Sequence, residues 1–315
     1  AKEMSKTDLA KWFPALMYEI NKKDEFSILK LITKIFLINL AATLPAAYIL
    51  SSLLGTGEEA AFFKESEAGG GAAVYNLLTF LFIVIIMSLF IYLLVKYRKF
   101  NILELISLLL LAFISGSVAS LIIPIWLYVA VYIYAQELID IFLTFFDLLY
   151  WTVFILFFVL QGLALIHEKF HKLRNFLLII TTSWAGVFLG LYTGLLTPPI
   201  LMLGFSIYDI YAVYRGPIRL ITNELQEANI IEKNESKGLF ILGLGDIFFY
   251  SMAISYSLAY FGFESFIVVS ILLLIGVIAT IILLMWKAPE GRELPALPIP
   301  LLFALIGIAI SAIFL

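Results

Sequence analysis

The hydrophobic pattern of this chain is a succession of long apolar runs divided by short polar breaks. A helix needs about 20 apolar residues to cross the hydrocarbon core of a bilayer. Runs of that kind cover 30–54, 75–95, 145–166, 175–196, 198–214, 238–261, 264–286 and 294–314. The stretch 102–135 is longer. At the helical rise it would extend about 51 Å, so it reads either as one long helix kinked near Pro124 or as two short ones. Residues 1–28 differ in kind: charge is mixed with Trp12, Phe13, Leu16, Met17 and Ile20 at helical spacing. That pattern predicts an amphipathic helix lying at the membrane interface rather than a signal peptide, with a poorly ordered polar tail as the alternative.

Charge decides the number of crossings. The clusters Lys96, Arg98, Lys99 and Lys169, Lys172, Arg174 belong on the cytoplasmic side by the positive-inside rule. An even number of crossings must then separate them, so 102–135 counts once beside 145–166. The expected fold is an all-α polytopic bundle of nine transmembrane helices, N-terminus cytoplasmic and C-terminus external. Every Lys and Arg except Lys64 then lies on the cytoplasmic side or at its boundary. The external loop 55–74 instead carries Glu58, Glu59, Glu65 and Glu67 beside Gly69-Gly70-Gly71. The organisation expected is a cytoplasmic amphipathic segment, 1–28, a first bundle of five spans, 29–196, and a second region of four spans, 197–315, with a cytoplasmic loop at 216–237.

Composition agrees. The chain is 63% hydrophobic and 14% charged, against about 45–50% and about 25% in an ordinary soluble domain, which marks an integral membrane protein. It has no cysteine, which excludes disulfides, iron–sulfur clusters and thiol nucleophiles. Basic residues flank apolar runs instead of forming a broad face, so no nucleic-acid partner is expected. Gly186, Gly190 and Gly194 recur every fourth residue, which places them on one helix face that permits close helix approach.

Against this background Asp209 and Asp246 stand out, each inside an otherwise apolar run. An acid at membrane depth costs several kcal/mol and calls for a function. Asp209 precedes Arg215 by six residues, about 9 Å along a helix, and Asp246 follows Lys237 by nine, about 13 Å. The two helices are antiparallel, so the carboxyls reach similar depth. Two close carboxylates share a proton, one acting as base and the other as acid, and such a pair can activate water against a peptide carbonyl. Gly243 and Gly245 flank Leu244 just ahead of Asp246. In a helix interior each glycine costs about 1 kcal/mol relative to Ala. Either they thin the helix wall where a substrate backbone approaches, or they serve helix packing. Pro295, Pro298 and Pro300 open the last run on the same side of the membrane, which suits a broken or extended helix start.

Tyr208-Asp209 in the sixth span, Gly243-Leu244-Gly245-Asp246 in the seventh and Pro295-Ala296-Leu297 at the start of the ninth together resemble the presenilin family of intramembrane aspartyl proteases. The likeness continues through Gly216-Pro217-Ile218-Arg219 and Ile247-Phe248-Phe249-Tyr250-Ser251 and covers roughly 204–298. Signal peptide peptidases share the aspartate motifs with the opposite orientation, so the charge pattern favours the presenilin branch. The resemblance implies that Asp209 and Asp246 are the catalytic pair, that Tyr208, Gly243, Leu244 and Gly245 shape the site, and that Pro295, Ala296 and Leu297 hold substrate. It further implies transmembrane-helix substrates, no cofactor and activity without accessory subunits as in microbial relatives, while the absence of cysteine and the small extramembrane mass point to a prokaryotic, archaeal, cell membrane. Two departures are visible: the loop between the aspartate spans is short, which puts self-cleavage in doubt, and Glu293 adds an acid beside the proline segment.

Two other readings compete. His167-Glu168-Lys169-Phe170-His171 satisfies the H-E-x-x-H pattern of zinc proteases, with histidines four apart on one helix face. These are the only two histidines, no downstream Asp-Gly element accompanies them, and Lys169, Lys172 and Arg174 disfavour a divalent cation. An ion-coupled transporter would use buried acids and broken helices, yet the first half has no counterpart of 240–250. Glu104, Asp140 and Asp147 read as boundary acids without a role.

Overall fold

The computed structural model describes residues 15–21, 25–216, 219–221, 224, 237–287 and 295–314. These fold into strand β1 (Ala15–Asn21), helices α1 (Glu25–Leu54), α2 (Gly70–Lys96), α3 (Phe100–Tyr134), α4 (Phe146–Ile166), α5 (His171–Tyr192) and α6 (Thr197–Tyr214), strand β2 (Lys237–Gly243), and helices α7 (Leu244–Lys287) and α8 (Pro298–Phe314). Short helical turns at Glu65–Ala68, Gln136–Leu138, Ile139–Thr144 and Glu168–Phe170 fill the connections.

Among the described residues, six helices are long and apolar enough to cross a membrane: α1 from Leu29, then α2, α3, α4, α5 and α7 to Leu283. The protein is therefore a multi-pass, helical membrane protein. α6 is diluted by Pro198, Pro199, Ser206, Asp209 and its tyrosines, and α8 is only 17 residues long. The long run 102–135 resolves as a single helix containing Pro124. α7, at 44 residues, would reach about 66 Å if straight. It breaks at Gly262 (φ 86°, ψ −174°), a conformation that only glycine adopts readily, and so forms a first arm, 244–261, and a second arm, 263–287.

α7 is the centre of the bundle, packing against α8, α5, α1 and α6. Small residues set the closest approaches. A Cβ on Gly186 would strike the Phe248 carbonyl and lie 2.8 Å from Ser251 Cβ, and one on Gly190 would lie 2.6 Å from the Met252 carbonyl. Gly276 meets Pro300 and Gly307 meets Val269, so α8 runs antiparallel to the second arm. Backbone-level contact of this kind drives helix association where the surrounding lipid is as apolar as the helices. α3 and α4 form an antiparallel pair through Gly116, which lies against the Phe154 carbonyl. The third glycine of the four-residue series departs from expectation. Gly194 lies beyond the end of α5 at φ 92° and faces Glu65, so only Gly186 and Gly190 form the α7-facing stripe.

Two segments differ from the sequence expectation. Within 1–28, residues 15–21 form a strand instead of an amphipathic helix, and residues 1–14 lie outside the described residues. The seventh run does not begin as a helix: 237–243 is the partner strand, antiparallel, with Ala15 opposite Gly243 and Asn21 opposite Lys237. A short apolar run carries no periodicity that separates strand from helix. Here the pairing of two such segments satisfies backbone groups that would otherwise need a helix.

Candidate active site

Asp209 lies on α6 and Asp246 in the first turn of α7, and the fold brings them close enough that the Asp209 carboxylate acts on Asp246 and both act on Tyr250. Asp246 is 7% exposed, whereas Asp209 is only partly buried. The expectation that Asp246 sits well inside a helix is corrected. With β2 ending at Gly243 and α7 starting at Leu244, Asp246 is the third residue of the helix. From there its carboxylate reaches back to the Gly243 amide, the return arm of a capping box. Gly243 thus carries no helix-interior penalty.

The third motif closes the site. The Leu297 amide donates to Asp209 Oδ2 at 3.0 Å, and the Ala296 amide adds a second donor. The prolines explain why these two amides do so. Pro298 and Pro300, in the first turn of α8, have no N–H to offer, which leaves the amides of 296, 297 and 299 as donors at this helix start, and the first two turn to Asp209. Each carboxylate therefore stands at a helix N-terminus, Asp246 at that of α7 and Asp209 at that of α8. Amide dipoles there favour negative charge where water is scarce.

The glycines separate in role. A Cβ on Gly243 would lie 3.3 Å from Asp246 Oδ2, so this position keeps space beside the carboxylate. Gly245 is exposed, and a Cβ there would meet nothing within 4 Å. Among the described residues it packs against no helix, so helix packing does not account for that glycine. Leu244 is buried with Ile247, and Leu297 is buried against the main core. Tyr208 packs edge-on against Phe205, and its hydroxyl is buried without a hydrogen-bond partner among the described residues. Tyr250 was not singled out by the sequence reading. It lies one turn beyond Asp246, is buried and feels the charge of both carboxylates. Its spacing of four from Asp246 was the available signal. Glu293, Pro217, Ile218 and most of the 216–237 loop lie outside the described residues.

The H-E-x-x-H pattern does not form a helical face. His167 ends α4 in an extended conformation (φ −100°, ψ 115°), Glu168–Phe170 make a separate turn, and His171 opens α5. The i, i+4 geometry that a zincin helix supplies is absent. No group of three or more His, Cys, Asp or Glu side chains placed to hold a metal occurs among the described residues.

Compared with family models and with curated proteins, the chain matches none.

Proposed function

We propose that this protein is an intramembrane-cleaving aspartyl protease of the presenilin-like kind, hydrolysing peptide bonds within transmembrane helices of other proteins. The observation that carries the reading is the convergence of Asp209 and Asp246 from separate helices, with the Leu297 amide 3.0 Å from Asp209. In this reading the dyad holds one proton. Water attacks the scissile carbonyl as the ionised carboxylate takes its proton and the protonated carboxyl gives one to the carbonyl oxygen. The resulting diol collapses: the C–N bond breaks, the amine nitrogen receives a proton from one carboxyl, and the other carboxylate recovers one from the diol. The dyad returns to its starting charge. The substrate helix must unwind first, because its peptide groups are otherwise closed within its own hydrogen bonds. Open space at Gly245 and the extended 295–297 segment are where its backbone would approach.

The same reading takes α6, α8 and both arms of α7 as crossings, which gives nine, with a cytoplasmic N-terminus and an external C-terminus in an archaeal cell membrane. It requires neither metal nor accessory subunit. The test uses purified protein and a synthetic transmembrane peptide. Asp209→Asn and Asp246→Asn should each lower cleavage by at least about 10³-fold, while His167→Ala and a zinc chelator leave it unchanged. The rate should follow a bell-shaped pH profile, since the dyad works only when singly protonated. Cleavage that survives either aspartate change removes the dyad. Loss of cleavage with chelator reinstates a metal mechanism, and ion flux without cleavage indicates a transporter.

A further inference from the structure

Asn39, in the middle of α1, is 1% exposed and faces the start of α7. Its Nδ2 lies 2.6 Å from Ser251 Oγ, 2.9 Å from Ser183 Oγ and 3.2 Å from the Ile247 carbonyl. Thr43, one turn along α1, donates to the same Ser251 Oγ at 3.0 Å. Three helices, α1, α5 and α7, are thereby joined by a polar node in the apolar interior. Its α7 members are Ile247, the residue after Asp246, and Ser251, one turn further. The close approach that allows this comes from Gly186, which sits against Phe248 and Ser251.

The node is not one that stability alone would choose. Among the described residues Asn39 Oδ1 is buried with no partner, which is costly in a low-dielectric interior. The hydroxyls do not depend on Asn39: Ser183 Oγ donates to the Ile179 carbonyl at 2.6 Å and Ser251 Oγ to the Ile247 carbonyl at 3.0 Å. A leucine at position 39 would remove the orphaned oxygen and leave the other groups paired. Thr43 ties α1 to Ser251, one turn further along, and what Asn39 adds is a directional tie to the Ile247 carbonyl, in the turn that carries Asp246. That turn needs one, because a helix's first residues lack the backbone bonds that fix later turns. A small cavity also joins Asn39 to Ile247 and Tyr250, so the node lies beside the ring that feels both carboxylates.

We infer that Asn39, with Thr43 and Ser251, is a positioning residue that sets the depth and rotation of the α7 start and so aims Asp246 at Asp209. The inference rests on the proposed dyad chemistry, and two readouts keep the two separable. In the cleavage assay, Asn39→Leu lowers kcat by about tenfold or more, since small misplacements of a reacting group cost up to about 10²-fold. KM stays within about twofold and the detergent melting temperature does not fall. Ser251→Ala shows a smaller loss in the same direction. The second readout needs no activity: the infrared band of protonated carboxyl, assigned by its disappearance in Asp246→Asn, moves its pH midpoint in Asn39→Leu. An unchanged kcat with an unmoved band overturns the inference. So does a kcat loss matched by an equivalent loss of thermal stability in both Asn39→Leu and Ser251→Ala, which would make the node merely structural. If no variant cleaves, wild type included, but the band still moves, the protease reading fails while the positioning of Asp246 stands.

Discussion

At the scale of single residues, the chemistry of this chain is concentrated in side chains whose neighbours explain their state. Asp246 and Asp209 were legible in the sequence because an acid inside a hydrophobic run has few structural uses. Their amide donors were only partly legible. Nothing in the letters Pro-Ala-Leu says that the 297 amide turns toward Asp209, and the missing N–H groups at 298 and 300 become informative only once α8 is known to start there. Asn39 left a weaker trace, a lone amide in the run 30–54, and its partners lie more than 140 positions away. Gly245 offers the sharpest residue-level test. With open space around its Cβ, Gly245→Ala should fold as well as wild type, or gain a few tenths of a kcal/mol in helix propensity. If substrate backbone approaches there, the added methyl raises KM several-fold with little change in melting temperature. A KM equal to wild type would place substrate elsewhere, and a lowered melting temperature would mean that the position is packed after all.

Elements are where sequence reading succeeded and failed for different reasons. Apolar runs became helices close to their expected limits, and the boundary between 238–261 and 264–286 fell at the Gly262 break, because bilayer thickness limits run length and glycine permits the turn. The β1–β2 pair was missed since each strand is short and its meaning lies in the other. The fixing of α6 was missed for the same reason. Its start is held by Glu65, whose carboxylate accepts from the amides of Leu195, Leu196 and Thr197 at 2.7–3.0 Å and from the Thr197 hydroxyl at 2.7 Å. Asn76 on α2 donates to Thr197 Oγ1 at 3.2 Å, and Tyr256 on α7 to the Leu195 carbonyl at 2.9 Å, so four elements meet at one end of the Asp209 helix. In composition Glu65 was one of four loop acids; in the fold it is the anion at a helix N-terminus. Glu65→Ala should therefore cost about 1.5–3 kcal/mol, the range for hydrogen bonds to a charged group. Glu67→Ala, which breaks only an exposed pair with Lys64 at 3.9 Å, should cost less than about 1 kcal/mol. Chemical or thermal denaturation in detergent ranks the two, and equal effects would remove Glu65 from its role as an anchor.

The whole molecule is organised so that its two kinds of end do different work. At one, the turns after α1 and α5 are tied together by backbone bonds from Gly57 to Leu191 at 3.1 Å and from Ala60 to Tyr192 at 2.7 Å, with Glu65 beside them. At the other lie the turns between α2 and α3 and between α4 and α5, which carry Lys96, Arg98, Lys99, Lys169 and Lys172, along with the approach to both aspartates. The aspartates thus lie toward the basic end, while the acidic end is fastened. Under the proposed function, positive-inside logic sets the basic end in the cytoplasm, from which the aspartate pair would be reached. The chain offers a direct test because it contains no cysteine. Single cysteines introduced as Arg98→Cys, Lys169→Cys, Glu58→Cys and Glu137→Cys should divide into two classes under a membrane-impermeant maleimide applied to intact cells. Positions 58 and 137 label from outside, whereas 98 and 169 label only after the membrane is opened. Agreement between 98 and 169 fixes an even number of crossings between them, as α3 and α4 require. Labelling of 98 and 169 from outside, with 58 and 137 protected, would invert the protein and overturn the proposed orientation. A split between 98 and 169 would mean that α3 and α4 do not both cross, and nine crossings would then be untenable.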